Sequence, residues 1–192
     1  MRYIRIILMA AFAILCMGCG KATVVNTTME RVTKVQSTWE AKEVLIGEFS
    51  TSLSTSGAGK IHNLKLVAQF LNGYILKPGS TFSYNEVVGP RTRERGFKDG
   101  PMFLDKKKIT VVGGGVCQGS GTLHGAVLSA NLQVIERYRH SMPVDYCSRE
   151  VEAAVVYGYK DFRFFNNTGR NLKITANVEG KMFLIQIWKI NP

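Results

Sequence analysis

Residues 113–125 read Gly-Gly-Gly-Val-Cys-Gln-Gly-Ser-Gly-Thr-Leu-His-Gly, and this stretch is the most informative part of the sequence. Three successive glycines allow the backbone to approach other groups closely. Small and apolar residues then follow at helical spacing and predict a helix over about residues 116–131. Cys117 would lie in the first turn of this helix, where unpaired N–H groups and the helix dipole favour a thiolate. Cys117 is therefore either a nucleophile or a small buried residue.

The first 42 residues carry an export pattern that precedes the folded domain. Two arginines are followed by an apolar run over residues 6–17, too short to span a bilayer and typical of a secretory signal. The run ends at Gly18-Cys19, so residues 1–18 are expected to be a lipoprotein signal peptide and Cys19 the lipidated residue. A membrane-anchoring helix or an ordinary cleaved signal is the alternative. Residues 19–42 would form a tether, and the expected location is an exported, membrane-anchored lipoprotein facing the periplasm or the outer cell surface.

The composition fits one folded domain with a basic surface. The chain has 192 residues, of which 45% are hydrophobic, and a formal net charge of +11. The basic residues are scattered and lack the interleaved aromatics that support base stacking, so nucleic acid is not an expected partner. Outside the membrane the available anions are lipid headgroups and wall polymers. The expected partners are cell-wall peptide or glycan, and the membrane through the N-terminal lipid.

Residues 43–192 predict a single α+β domain with a mainly antiparallel sheet and two principal helices. One helix is expected from about Ile61 to Gly73 and the other follows the glycines. The strands are expected at residues 43–54, 81–84, 102–104, 109–112, 134–138, 152–157, 162–165, 172–178 and 182–190. Glu179-Gly180 would close the last two strands into a hairpin. Residues 87–100, rich in Gly, Pro and Arg, are expected to form a long functional loop.

Four motifs stand in series along the chain. They are Thr81-Phe82-Ser83-Tyr84-Asn85-Glu86-Val87-Val88-Gly89-Pro90-Arg91-Thr92, then Gly113-Gly114-Gly115-Val116-Cys117-Gln118, then Glu136-Arg137 with His140-Ser141-Met142-Pro143-Val144, and finally Tyr157-Gly158 with Asp161-Phe162-Arg163-Phe164 and Asn166-Asn167-Thr168. In this order and at these spacings they resemble the VanW family, over roughly residues 43–178. The resemblance implies a cell-envelope setting and a link to glycopeptide-resistance gene clusters. It does not supply a reaction.

Cysteine catalysis needs a thiolate, a base or ion-pair partner, and a group that orients that partner. Cys117 is the candidate nucleophile and His140 the candidate partner. Asp161 is the predicted orienting carboxylate, because a carboxylate can fix the tautomer of an imidazole, and Asp145 is the alternative. The Gln118 amide or the backbone N–H groups after the glycines would form an oxyanion hole. The predicted reaction is acyl transfer or hydrolysis on wall peptide, without a cofactor or a metal.

The substrate is expected to bind around the glycine run and the Arg-rich loop. Arg91 is the candidate clamp for a substrate carboxylate. The other predicted binding residues are Gly113, Gly114, Gly115, Gln118, Ser120 and Asn85.

Three other readings of these residues stay open at this point. Cys117 and Cys147 would be able to form a disulfide in an oxidising compartment. Cys117, His140 and Cys147 would be able to bind zinc, although no paired C-x-x-C spacing supports this. In the third reading Cys117 serves packing alone, and the protein is a non-catalytic binding module for wall peptide or glycan.

Overall fold

The computed structural model of the protein describes residues 43–104 and 107–191. The predicted signal peptide (1–18), the tether (19–42) and Cys19 lie outside the described residues. The elements within them are β1 (Glu43–Ser52), α1 (Ala58–Leu71), β2 (Tyr74–Leu76), β3 (Thr81–Ser83), α2 (Tyr84–Val88), β4 (Asp99–Leu104), β5 (Lys107–Val112), α3 (Cys117–Ser129), β6 (Gln133–Glu136), β7 (Arg163–Phe165), β8 (Asn171–Glu179) and β9 (Met182–Ile190).

The strands form three antiparallel groups. The largest is a four-stranded sheet in the order β1-β9-β8-β2, a three-stranded sheet has the order β3-β7-β6, and β4 pairs with β5. Leu172, Ile174 and Ala176 on β8 alternate with exposed or half-buried neighbours, and all three are buried. This period of two is what a strand with one face on the core requires. The prediction of an α+β domain with antiparallel sheets and two principal helices, α1 and α3, is confirmed.

Helix α3 lies in the core, with every residue from Gln118 to Val127 buried. Its glycines permit this, because a β-carbon on Gly119 would come within 2.7 Å of the Tyr84 hydroxyl oxygen, and one on Gly125 would overlap the Phe49 ring. Helix α1 contributes one apolar face, with Leu64, Val67, Ala68 and Leu71 buried at helical spacing. Among the described residues, no helix combines the length and apolar composition needed to cross a bilayer.

Two of the local predictions that differ from the structure bear on the candidate site. The strand expected at residues 152–157 is wrong, and only an isolated bridge joins Val156 to Lys160 there. Residues 152–155 are all buried without alternation, which marks packing on both sides rather than one face of a sheet. The strand at Thr81 ends at Ser83, because the Ser83 side chain accepts a hydrogen bond from the Glu86 backbone N–H and caps α2.

Candidate active site

The three glycines before Cys117 make room for other parts of the protein itself. A β-carbon built at each position would overlap the atoms that now fill the space, namely the Arg91 side chain at Gly113, the Gly100 carbonyl at Gly114 and the Lys60 side chain at Gly115. Gly113 and Gly115 also have φ values of 74° and 91°, which side chains other than glycine rarely adopt. In the structure these glycines pack Arg91 and Lys60 against the turn that leads into Cys117. Their role in substrate binding stays a prediction.

Cys117 begins α3 as a partly buried free thiol. Its sulfur lies 3.5 Å from the carbonyl oxygen of Val155. After burial, His140, from the irregular segment that follows β6, has the largest influence on the pKa of this thiol and lowers it. The structure therefore brings together the two residues that the sequence nominated as nucleophile and partner.

The carboxylate beside His140 belongs to Glu152. Nδ1 of His140 lies 2.9 Å from Oε2 of Glu152, whose side chain is fully buried while that of His140 is 16% exposed. Arg149 closes the arrangement, with one guanidinium nitrogen 3.0 Å from Oε1 of Glu152. The same nitrogen donates to the His140 carbonyl oxygen at 3.1 Å. Because Nδ1 is engaged by Glu152, Nε2 is the ring nitrogen left for the thiol.

The pKa values of Cys117 and His140 move in opposite directions. Burial by itself would raise the pKa of the Cys117 thiol, but the hydrogen bond and charge of His140, together with the charge of Arg91, hold that pKa below its ordinary value. Burial would likewise lower the pKa of His140, and the bonds and negative charges of Cys117 and Glu152 raise it instead. Opposite shifts of this kind favour a thiolate–imidazolium pair.

Asp161, the carboxylate predicted to orient His140, is placed at the start of α2 instead. Its Oδ1 accepts hydrogen bonds from the backbone N–H groups of Asn85 (2.9 Å) and Phe162 (2.8 Å), and its Oδ2 accepts from the Ser83 hydroxyl. The carboxylate that contacts the His140 ring is Glu152. The prediction that Asp161, or Asp145 as its alternative, orients His140 is therefore wrong.

Asn85 and Arg91 form a hydrogen-bonded pair that is tied to the segment following Val155. One Arg91 guanidinium nitrogen donates to Oδ1 of Asn85 at 2.7 Å. The Asn85 amide nitrogen in turn donates to the carbonyl oxygens of Val156 (3.2 Å) and Lys160 (2.9 Å). Asn85 thus joins Arg91 to the segment whose Val155 carbonyl contacts Cys117.

Gln118 and Ser120 point into the core. The Gln118 amide nitrogen donates to Oγ1 of Thr51 and to the Ser52 carbonyl oxygen, each at 2.9 Å. The Ser120 hydroxyl donates to the Ala153 carbonyl oxygen at 2.6 Å. Both side chains are fully buried. The expectation that the Gln118 amide faces an oxyanion is therefore corrected, because its donors are engaged by β1.

The second thiol, Cys147, is free, so the disulfide alternative is not what the structure contains. Burial, then the charges of Glu152 and Asp145, raise the pKa of Cys147 to about 11. Across residues 43–104 and 107–191, no three His, Cys, Asp or Glu side chains are grouped to hold a metal ion. Cys117, His140 and Cys147 therefore do not form such a group in the described part of the chain.

Tyr146 adds a hydroxyl group to the same region. Its ring centroid is 6.4 Å from that of His140, and the Lys60 ammonium lies 5.1 Å from the Tyr146 ring centroid. The hydroxyl oxygen is buried and has no hydrogen-bond partner within the described part of the chain. Burial, followed by the charge of Cys117, raises the pKa of Tyr146, so its hydroxyl keeps its proton.

A family model described as VanW like protein matches residues 59–188, which is more than half of the chain. The chain belongs to the VanW family. Every residue of the Cys117, His140 and Glu152 arrangement falls within the matched range.

Two curated relatives resemble this VanW-family chain. The uncharacterized protein YoaR of Bacillus subtilis (strain 168) is 36% identical over 143 residues, which are 74% of this chain and 47% of YoaR. The vancomycin B-type resistance protein VanW of Enterococcus faecalis (strain ATCC 700802 / V583) is 31% identical over 134 residues, 67% of this chain and 49% of that protein. The VanW-family chain thus matches about half the length of these relatives. No solved structure matches it.

Sequence reasoning missed two residues of this VanW-family site, Glu152 and Tyr146. A signal for Glu152 was present, because the residue interrupts a small and apolar run, Val151-Glu152-Ala153-Ala154-Val155. A buried acid of this kind is rare unless it has a charged partner. Tyr146 carried no comparable signal, since a tyrosine beside Cys147 in an irregular segment is unremarkable.

Proposed function

We propose that this VanW-family protein is an exported, lipid-anchored cysteine enzyme that acts by acyl transfer or hydrolysis on cell-wall peptide. The arrangement of Cys117, His140 and Glu152 supports the catalytic part. It combines a partly buried thiol, a histidine that lowers the pKa of this thiol, and a buried carboxylate bonded to the histidine, which are the groups that cysteine catalysis needs. The name of the VanW relative and the signal-like N-terminus support the envelope setting and the wall substrate.

In the first step the Cys117 thiolate attacks the carbonyl carbon of a substrate amide, forming the C–S bond of a tetrahedral intermediate. The His140 imidazolium then donates its Nε2 proton to the leaving nitrogen as the C–N bond breaks. The products are a free amine and a thioester on Cys117. The Glu152 carboxylate stabilises the imidazolium, and we assign the Tyr146 hydroxyl, which is buried without a partner among the described residues, as the donor to the developing oxyanion.

In the second step neutral His140 takes a proton from the incoming nucleophile, which attacks the thioester carbonyl carbon. The C–S bond breaks and the sulfur leaves as thiolate, so the enzyme returns to its starting charge state. An acceptor amine gives transfer of the acyl group, and water gives hydrolysis. Exclusion of water from the thioester would decide between these outcomes.

Reactivity of the two thiols tests the catalytic proposal in the full-length protein. We expect iodoacetamide to modify Cys117 at lower pH than Cys147, since thiolate is the reactive form and the pKa of Cys147 is raised to about 11. Mass spectrometry of the alkylated peptides measures both rates in one sample. Cys147→Ser provides the control, because it removes the second thiol and leaves the rate at Cys117 unchanged.

Turnover gives the direct test. Purified wall peptides incubated with the protein should yield a free amine product or an exchanged acyl group, and Cys117→Ala should abolish both. Undiminished turnover by Cys117→Ala would overturn the catalytic proposal. A protein whose wall binding survives this substitution, and whose Cys117 resists alkylation, would instead be the non-catalytic binding module.

Lipid anchoring is checked by uptake of a fatty-acid label, which Cys19→Ala should prevent.

A further inference from the structure

The Arg91 guanidinium has donors that the protein itself does not use. Its Nε and Nη2 atoms are buried and have no hydrogen-bond partner among the described residues. The third nitrogen, Nη1, is taken by Asn85 at 2.7 Å. A buried donor left without a partner destabilises the folded protein, and a charged donor does so more strongly. A buried guanidinium edge that the protein leaves without a partner indicates a binding position.

The protein holds Arg91 in a fixed orientation. Its guanidinium carbon lies 5.4 Å from the ring centroid of Tyr84 and 5.9 Å from that of Tyr157. The Tyr84 hydroxyl donates to the carbonyl oxygen of Val116, the residue before Cys117, at 3.1 Å. The side chain also packs on Gly113, where a β-carbon would overlap it. These contacts tie the guanidinium to the turn that carries the thiol.

The charge of Arg91 acts at the thiol. Burial lowers the pKa of Arg91, an effect that the neighbouring Tyr84, Cys117 and Asp161 oppose. An arginine keeps its proton in proteins, so the group remains a cation that lowers the pKa of Cys117. Nε and one Nη form the planar edge of a guanidinium that binds a carboxylate through two parallel hydrogen bonds.

The neighbouring arginines are occupied differently. The guanidinium of Arg93 bonds to both carboxylate oxygens of Asp99, at 2.8 and 2.9 Å, and its side chain is 63% exposed. Arg95 lies over the Phe70 ring at 4.8 Å and donates to the Pro90 carbonyl oxygen. Of the three arginines in this loop, Arg91 is the one with a buried, unpartnered edge.

We propose that the Nε–Nη2 edge of Arg91 binds a carboxylate of the acyl donor, so that the substrate is a peptide with a free carboxylate close to the amide that Cys117 attacks. This inference rests on the proposed function and narrows its substrate class. Amidation of that carboxylate would remove two charge-assisted hydrogen bonds and leave Arg91 unpaired.

Alkylating reagents of matched size test the inference without a known substrate. Iodoacetate and iodoacetamide, and the longer pair 3-bromopropionate and 3-bromopropionamide, differ only in having a carboxylate or an amide. The ratio of anionic to neutral rates at Cys117, divided by the same ratio for glutathione, reports carboxylate recognition. It is independent of the thiolate fraction, because both reagents need the same thiolate.

We expect this normalised ratio to be about ten for at least one of the two reagent pairs, which is the size of effect that a hydrogen bond to a charged group gives. Arg91→Gln should abolish the preference, and Arg91→Lys should lose most of it, since lysine keeps the charge without the two-pronged edge. Arg93→Gln is the matched control and should leave the ratio unchanged. A ratio of one in the wild type, or full preference in Arg91→Lys, overturns the inference while leaving the cysteine mechanism intact. A Cys117 that neither reagent modifies overturns the proposed function, and the inference with it.

Discussion

At the scale of single residues, the site depends on one buried carboxylate. Glu152 is fully buried and bonds to both the ring and the backbone of His140. A lone carboxylate in such a position would be too costly to keep ionised, and the cationic partners His140 and Arg149 offset that cost. The negative charge favours the imidazolium, and the imidazolium favours the Cys117 thiolate. Through His140, the charge of Glu152 therefore lowers the pKa of the Cys117 thiol without a direct contact between the two residues.

Glu152→Gln tests this transmission. Glutamine keeps the size of the side chain and removes the charge, so the pKa of His140 falls and the pKa of Cys117 rises. We expect the pH at which Cys117 is half-maximally alkylated to move upward, and the rate at pH 7 to fall by about tenfold. Iodoacetamide labelling between pH 5 and 10 measures both.

The comparison variant is Asp161→Asn, the carboxylate that sequence reasoning preferred. Because Asp161 bonds to the backbone at the start of α2, this change should alter the pH midpoint of Cys117 less than Glu152→Gln does. A larger shift in Asp161→Asn would contradict the assignment of Glu152 as the residue that positions His140.

At the scale of elements, the glycines of α3 decide how closely the helix packs. Because Gly119 has no side chain, Tyr84 and Val67 pack directly against the helix there, and at Gly125 the ring of Phe49 from β1 does the same. These positions weaken the isolated helix by about 1 kcal/mol each relative to alanine. The close packing on β1 and α1 compensates, and it fixes the first turn that holds Cys117.

Gly125→Ala tests the balance between propensity and packing. The added β-carbon would overlap the Phe49 ring, so we expect the free energy of unfolding to fall by about 1–3 kcal/mol in spite of the gain in helix propensity. Urea denaturation followed by circular dichroism measures the change. Gly57→Ala is the control, because a β-carbon there meets nothing within 4 Å and the residue has a φ of −72°. A stability of Gly125→Ala equal to or above that of the wild type would show that α3 has room at this position.

Elements with a clear period could be predicted from sequence. Strands β8 and β9 alternate, and α1 repeats its apolar residues every three to four positions, so each element shows its buried face directly. Residues 152–155 are all buried against α3 and the segment after β6, so their burial shows no alternation that a sequence pattern would reveal. The partner of His140 lies twelve residues away in such a segment. The interruption of an apolar run marks Glu152 as a buried acid, but only the tertiary packing shows that it, and not Asp161, is the carboxylate beside His140.

At the scale of the whole molecule, the site joins segments that are distant in sequence. The first turn of α3 supplies Cys117, the segment after β6 supplies His140, and the irregular stretch before β7 supplies Glu152. Helix α3 is the element they share, since Ser120 bonds to the Ala153 carbonyl and His124 Nδ1 lies 2.7 Å from the Val151 carbonyl oxygen. These two contacts bind the segment carrying Glu152 along the buried helix. Loss of either contact would loosen both the fold and the site.

The His124 contact gives the fold a dependence on pH. Burial lowers the pKa of His124, an effect that the bond to Val151 partly opposes and the charge of Arg137 reinforces. The folded pKa is therefore below the unfolded value of about 6.5. Between the two values the unfolded chain binds more protons, so stability is lost as pH falls from about 6.5 towards the folded pKa.

His124→Phe should reduce this acid sensitivity. Phenylalanine fits beside Phe162, whose ring centroid is 5.2 Å from that of His124, but it leaves the Val151 carbonyl without its donor. We expect the variant to be less stable at pH 7.5 by roughly 1–3 kcal/mol, and its stability to fall less than that of the wild type on moving to pH 5. His140, whose pKa is raised, contributes with the opposite sign, since its stabilisation is lost as pH rises through its folded pKa. The contribution of His140 is the same in the wild type and in His124→Phe, so it cancels when the two are compared.

Urea denaturation at pH 7.5 and pH 5 measures the loss of unfolding free energy in each protein. His62→Gln is the control, because it changes a half-buried histidine outside α3. Parallel losses in the wild type and His124→Phe would assign the acid sensitivity to other groups.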